Sequence, residues 1–276
     1  MHDLAARGSP LEYWFWKIRT PEGGAIVDYV IRRDMGTAEV RVSTWRPGVH
    51  PVIHEVSTDF ADLVEGISIG ESRLDAAGSA GSAGDVRWEV RWDLGEPRLA
   101  PRPDWFGPLH PFDMELVARP HARMTGLLRL GPRTIRLDGA GLVSHYWGRR
   151  LPDRWTWISA SGFDDDPDAR LEALLVSSRL WGGPLHVPAG YVWLSQDGHA
   201  QETVEPLTGA IRITREGHGV RLASIRADGR RHTIECSAPS DTFNEVGDGV
   251  EQSLSADLSL DGRSRVIGSV GLEFRG

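Results

Sequence analysis

Apolar and polar residues alternate with period two along most of the chain, the pattern of half-buried β-strands. The alternation runs through Tyr13–Ile18, Ala25–Arg32, Ala38–Trp45, Val86–Trp92, Thr134–Leu137, Trp155–Ser161 and Leu174–Leu180. It continues through Gly190–Leu194, Ala210–Thr214, Val220–Ala227, His232–Ser237, Ser253–Leu260 and Val266–Phe274. Glycine-containing turns such as Pro21-Glu22-Gly23-Gly24, Asp197-Gly198, Asp228-Gly229 and Asp261-Gly262 separate the runs, as hairpins require. Only Asp59–Gly66 reads as a short helix, with a single helical turn at Asp166–Glu172. The pattern predicts an all-β protein, sandwich or barrel.

Two stretches interrupt it. Ala76–Gly84 is Ala/Gly/Ser-rich and reads as a loose hairpin loop, and Pro97–Pro120 carries prolines that a central strand does not tolerate. The expected division is an N-terminal β domain over 1–96, a proline-rich linker over 97–124 and a C-terminal β domain over 125–276. No repeat of solenoid or propeller period is present.

Composition narrows the function. A net charge of −8 argues against nucleic acid as a partner. No apolar run reaches the ~20 residues that span a bilayer, and the first residues lack a signal-peptide core; the expectation is a cytoplasmic protein. A single cysteine, Cys236, leaves no disulfide framework. Lys17 is the only lysine among 31 basic residues, an arginine bias consistent with a GC-rich genome. Tryptophan, at 11, outnumbers phenylalanine at 7 and tyrosine at 4, which fits either a large β core or an indole-walled site for an apolar ligand. Nucleotide loops, zinc-protease signatures and serine-hydrolase elbows are missing. His50 and His54 lie four apart, but Pro51 between them breaks helical alignment, and Asp164–Asp168 lacks the glycine and glutamate of a calcium loop. Neither a metal nor an organic cofactor is expected.

The informative blocks are Glu12-Tyr13-Trp14-Phe15-Trp16-Lys17-Ile18 and Ser144-His145-Tyr146-Trp147-Gly148, the latter followed by Leu151-Pro152-Asp153-Arg154-Trp155-Thr156-Trp157. They resemble the two hallmark blocks of the tocopherol cyclase-like family, related to carotenoid hydratases and to lipocalin-like cyclases that close rings by intramolecular Diels–Alder reaction. The first block is similar to a Gly-Trp-Tyr-Phe-Lys strand. The second is similar to an Asn-Trp-Gly, Phe-Pro, Trp-x-Trp pattern, with Leu151-Pro152 at the Phe-Pro position. The resemblance covers about a quarter of the chain. It implies two lipocalin-like β domains and an apolar substrate. Ser144, His145, Tyr146, Ser159 and Ser161 stand where the family has charged or amide residues, so its proton donors do not carry over.

Strand periodicity puts Trp14 and Trp16 on one face with Lys17 opposite, His145 with Trp147, and Trp155 with Trp157, Ser159 and Ser161. The expected substrate-binding set is Trp14, Trp16, Trp147, Trp155, Trp157 and Ser159, whose indoles would shape an apolar chain and stabilise developing positive charge. The expected catalytic set is His145 as proton carrier, Asp153 orienting it or Arg149, and Arg149 or Arg154 holding a carbonyl or enolate oxygen. The structural readings beside these are a buried satisfied histidine, a turn aspartate and a surface or interdomain arginine ion pair. The leading function is an intramolecular cyclase on a large polyketide or isoprenoid intermediate, proton-initiated or pericyclic. A hydratase and a non-catalytic lipocalin-like binder are the alternatives.

Overall fold

Each sheet of the protein hydrogen-bonds its first strand to its last, and that pairing sets the architecture. The computed structural model describes residues 4–59, 61–64, 66–95, 114–179, 183–196, 199–206, 210–225 and 231–276. The strands of the first unit are β1 (Leu11–Thr20), β2 (Gly23–Arg32), β3 (Thr37–Arg46), β4 (Val49–Thr58), β5 (Ile67–Ile69), β6 (Ser72–Leu74), β7 (Gly78–Ala83), β8 (Val86–Asp93), β9 (Met114–Leu130) and β10 (Arg133–Gly148). Those of the second are β11 (Arg154–Ser161), β12 (Arg170–Arg179), β13 (His186–Gln196), β14 (His199–Pro206), β15 (Ile211–Glu216), β16 (Gly219–Ile225), β17 (Arg231–Ser237), β18 (Asn244–Glu245), β19 (Val250–Leu260) and β20 (Ser264–Arg275).

The first sheet runs β4-β3-β2-β1-β10-β9-β8-β7-β6-β5, and the second β14-β13-β12-β11-β20-β19-β17-β16-β15 with β18 beside β19. Both are antiparallel meanders curled into nearly closed barrels, consistent with two lipocalin-like domains. The two share one topology: β1 pairs with β10 as β11 pairs with β20, and each sheet is open after its fourth strand. No helix among the described residues is long and apolar enough to cross a membrane.

Alternation decides what fills each barrel. Trp14, Trp16 and Ile18 of β1 join Val27, Tyr29, Val40, Val42, Trp88 and Met124 in the first core. Ile158, Ala160, Leu171, Val192, Leu194, Leu272 and Phe274 belong to the second. At ~25 cal/mol per Å² of apolar surface, indoles and branched chains at these positions supply most of the drive to close the sheets.

Several local expectations change. The chain divides after Leu151: Met114–Leu151 pack with the N-terminal unit, and the second unit runs from Pro152 to Gly276. The proline-based boundary had placed β9 in part of a linker and β10 in the second domain. β9 nevertheless pairs with β8 and β10, and its Pro120 sits where the ladder to β10 slips between Gly141 and Val143, a bulge that accepts a residue without an N–H. The remainder of the proline-rich stretch, 96–113, lies outside the described residues. The described residues of Asp59–Gly66 form bends and a bridge from Asp62 to Ser68 rather than a helix. At Asp166–Glu172 the Asp166 carboxylate accepts the Asp168 and Ala169 N–H groups in a turn, and strand begins at Arg170. The acidic run is also tied to β20, Asp164 accepting from the Arg265 N–H and Asp165 from the Ser264 hydroxyl.

The Ala/Gly/Ser stretch is a strand, not a loop. A side chain on Gly81 would meet Ser72 and Trp88 within 2.7 Å, and one on Gly78 the Val90 carbonyl at 2.2 Å. Small residues are what this close approach admits. The buried Ser79 hydroxyl meets the Tyr29 hydroxyl at 2.9 Å and accepts from the Trp88 indole at 2.9 Å.

This strand role is testable by denaturant unfolding. Ser79→Ala deprives the buried Trp88 N–H of its acceptor and is expected to cost about 1–3 kcal/mol. Ser82→Ala, whose hydroxyl reaches only the exposed Glu71 contact, should stay within about 0.5 kcal/mol.

Candidate functional site

The motif residues separate into two groups, one in each unit. In the first, β1 and β10 pair so that Glu12 lies opposite Trp147 and Trp14 opposite His145. His145 is fully buried, stacked on Trp14 with ring centroids 4.5 Å apart and an interplanar angle of 12°. Trp147 leans on the same imidazole at 4.8 Å, and the Arg7 guanidinium lies 5.0 Å over the Trp147 ring.

The carboxylate beside His145 is Glu12, 3.2 Å from its Nε2 and itself fully buried. Glu12 also accepts from the backbone N–H groups of Arg7, Gly8 and Ser9, and its Oε1 lies 2.8 Å from Arg33. Burial alone would raise the Glu12 pKa. The His145 hydrogen bond, the Arg7 N–H and the Arg33 charge outweigh that and hold the carboxyl below the usual carboxylate range. The segment ahead of β1 is thereby fastened across the strand ends: Leu4 is buried in the core, and its carbonyl accepts from the Trp14 indole at 3.0 Å. Trp16, one further pair along, is wholly inside the barrel, and its indole N–H has no acceptor among the described residues.

In the second unit, Trp155, Trp157 and Ser159 point away from the barrel core, whose residues on β11 are Ile158 and Ala160. Register builds a continuous patch on this face. Ser159 lies opposite Glu172, and Glu172 opposite Trp193. Trp157 lies opposite Leu174 on one side and Glu273 on the other, with Gln252 beyond. The Trp157 indole donates to Glu172 Oε1, and the Trp155 indole to Glu273 Oε1 at 2.6 Å. Gln252 donates to the other Glu273 oxygen at 3.0 Å, and the Arg275 guanidinium lies 5.2 Å over Trp155. Glu172, Trp157, Ser159, Tyr191, Trp193 and Gln252 are all buried, Glu172 at 2% exposure. Two carboxyl groups therefore flank one indole within a mostly apolar surface, the composition expected of a small-molecule site.

The remaining expected residues stand elsewhere. Asp153 precedes β11 and accepts from Arg179 at 2.9 Å and His186 at 2.7 Å. Arg149 is exposed just beyond β10. The Trp14–Trp16 and Trp155–Trp157 pairs occupy equivalent strands yet opposite faces, one inside its barrel and one outside. Glu12, Glu172 and Glu273 were not singled out from the sequence. Their signal was present: each is an acidic residue within an otherwise apolar strand segment, Leu11-Glu12-Tyr13, Leu171-Glu172-Ala173 and Leu272-Glu273-Phe274. Among the described residues no cluster of three His, Cys, Asp or Glu could hold a metal ion.

No family model and no curated protein matches the sequence. Solved structures do share the fold. A protein described as AttH from Nitrosomonas europaea superposes with a TM-score of 0.65 at 15% identity over 99% of this chain and 94% of that one. Kievitone hydratase from Nectria haematococca gives 0.62 at 12% identity over 96% and 88%, and CghA 0.61 at 11% over 96% and 87%. At these identities the likeness is one of architecture.

Glu12 makes a pH prediction. A carboxyl whose pKa is depressed by folding adds stability that is full above its unfolded value, about 4.3, and is lost as pH falls through the folded value. Wild-type stability should therefore drop as pH falls below about 5, and Glu12→Gln should show a shallower fall. Equal slopes in urea unfolding would remove Glu12 from that role.

Proposed function

We propose that the chain is an enzyme that protonates a carbon–carbon double bond of a large apolar substrate, an intramolecular cyclase on a polyketide or isoprenoid intermediate. The observation that carries this reading is the buried Glu172 carboxyl, hydrogen-bonded by Trp157 and bordered by Ser159 and Trp193. Glu172 gives its proton to one alkene carbon, the π electrons form the new C–H bond, and the neighbouring carbon becomes cationic. The faces of Trp157 and Trp193 stabilise that charge through the indole quadrupole. A hydroxyl of the substrate attacks the cation, and its proton passes to a carboxylate. In this reading Glu273, held by Trp155 and Gln252 on the other side of Trp157, takes that proton, and exchange with water returns Glu273 to the carboxylate and Glu172 to the acid before the next turnover. Proton in and proton out balance, so the product is an isomer of the substrate.

This assignment moves the proton carrier from His145 to Glu172. His145 has its Nε2 on a carboxylate already committed to the backbone of the N-terminal segment and both neighbouring indoles against its ring, a positioning role. Two carboxyl groups at one indole also favour proton-initiated closure over a pericyclic one governed by shape alone. Hydration is the second reading, favoured by the shared fold with kievitone hydratase; water would then take the place of the internal hydroxyl.

The test is turnover of a prenylated hydroquinone and of a linear polyenyl ketone. Glu172→Gln should lose on the order of a hundredfold or more in kcat with an unchanged near-ultraviolet circular dichroism spectrum, whereas His145→Gln should lose far less. The reverse order of effects would return the acid role to His145.

A further inference from the structure

The face of the first sheet turned away from its barrel core carries a second set of buried polar groups. On β1, Trp14, Trp16 and Ile18 point inward, so Tyr13, Phe15 and Lys17 point outward. Register places Ser144 of β10 opposite Phe15, and Asp28 of β2 on its other side, with Arg41 of β3 next to Asp28. Lys17, Asp28, Arg41, Ser43 and Ser144 are each at most 9% exposed, although none of them belongs to the core. The hydroxyls of Ser144 and Ser43 have no hydrogen-bond partner among the described residues. Buried hydroxyls are nearly always paired, and leaving one unpaired is costly.

We propose that this face, around Lys17 and Ser144, binds the carbonyl oxygen of an aromatic or polyenyl ketone. Lys17 is two residues along β1 from the position opposite Ser144, a diagonal of about 7–8 Å between backbones that a lysine side chain spans easily. An ammonium and a hydroxyl converging on one oxygen supply the two donors that a carbonyl accepts. Lysine suits this better than arginine, because it presents a compact point charge rather than a planar fork, and it is the one lysine in a chain whose other basic residues are arginine.

The charges on the face argue for a neutral oxygen over an anion. Arg41 contacts Glu39 and Glu55, and Arg32 contacts Glu39; with Lys17, Asp28 and the Arg19 that lies over Trp45 added, four positive groups meet three negative ones, close to balance. The edges fit a conjugated ligand: Tyr146 stacks on Phe15 at 5.9 Å and meets Tyr13 edge-on at 5.9 Å, leaving an aromatic margin beside the Ser144 hydroxyl. Ser43 of β3, two strands across from Lys17 in the same row at about 10 Å, offers a second donor to an extended molecule. This binding site stands independently of the acid–base reading of the second unit, because it is observed without turnover.

The probe is 6-propionyl-2-(dimethylamino)naphthalene, an aromatic ketone whose emission shifts to the red when its carbonyl accepts hydrogen bonds. Its propyl analogue, lacking the oxygen, is the control. Lys17→Met and Ser144→Ala should each weaken ketone binding about tenfold, the worth of one hydrogen bond to a buried donor, and leave binding of the analogue unchanged. In protein labelled biosynthetically with ¹³Cε-lysine, Lys17 gives one signal, which should move on addition of the ketone and not of the analogue. A stationary lysine signal, or variants that bind the ketone as tightly as the wild type, would overturn the proposal.

Discussion

The hydrogen-bonded pairing of first strand with last, β1 with β10 and β11 with β20, is the constraint on which the rest of the molecule depends. It closes most of each sheet's edge, which would otherwise present unpaired N–H and C=O groups. It also brings the two tryptophan-rich blocks to the middle of their sheets. Because side chains alternate strictly along a strand, the register of that one pair decides which residues enter a barrel and which face outward. A slip of one residue in β1 against β10 would expel Trp14 and Trp16 and draw Lys17 into an apolar core.

The same constraint gives the two blocks different work. Trp14 and Trp16 are core, and the polar groups near them, Glu12 and His145, are saturated by one another and by the segment ahead of β1. Trp155 and Trp157 lie on the outer face of their sheet, where each indole N–H donates to a carboxyl oxygen, Glu273 and Glu172 respectively. A buried carboxyl group needs such a donor to be tolerated at all. In the proposed reaction that carboxyl group delivers a proton to an apolar substrate, and the surrounding indoles stabilise the resulting cation. Alternation along the strand thus separates the tryptophans inside a barrel from those on the outer face.

Period-two alternation made the strands legible and sorted Trp14, Trp16, Lys17, Trp155 and Trp157 onto their faces. It could not say which face was inside, since both faces of β1 and of β11 carry large apolar residues. The domain boundary was misplaced because proline was read as a break, whereas Pro120 occupies a bulge within β9. Gly78–Ala83 was hidden because strand propensity says nothing about positions where a backbone approaches closer than a side chain allows. The carboxylates were overlooked for a physical reason as well. Glu172 and Glu273 lie 101 positions apart in the chain, and only the pairing of β11 between β12 and β20 brings them to either side of Trp157.

The most direct test of the account is to run the reaction on a polyenyl substrate in deuterium oxide and to weigh the product by mass spectrometry after back-exchange in ordinary water. Proton delivery from Glu172 to an alkene carbon predicts one deuterium retained in a non-exchanging C–H position of each product molecule. A cyclised product that carries no carbon-bound deuterium would contradict it, and would mean that the protein closes the ring by shaping its substrate alone.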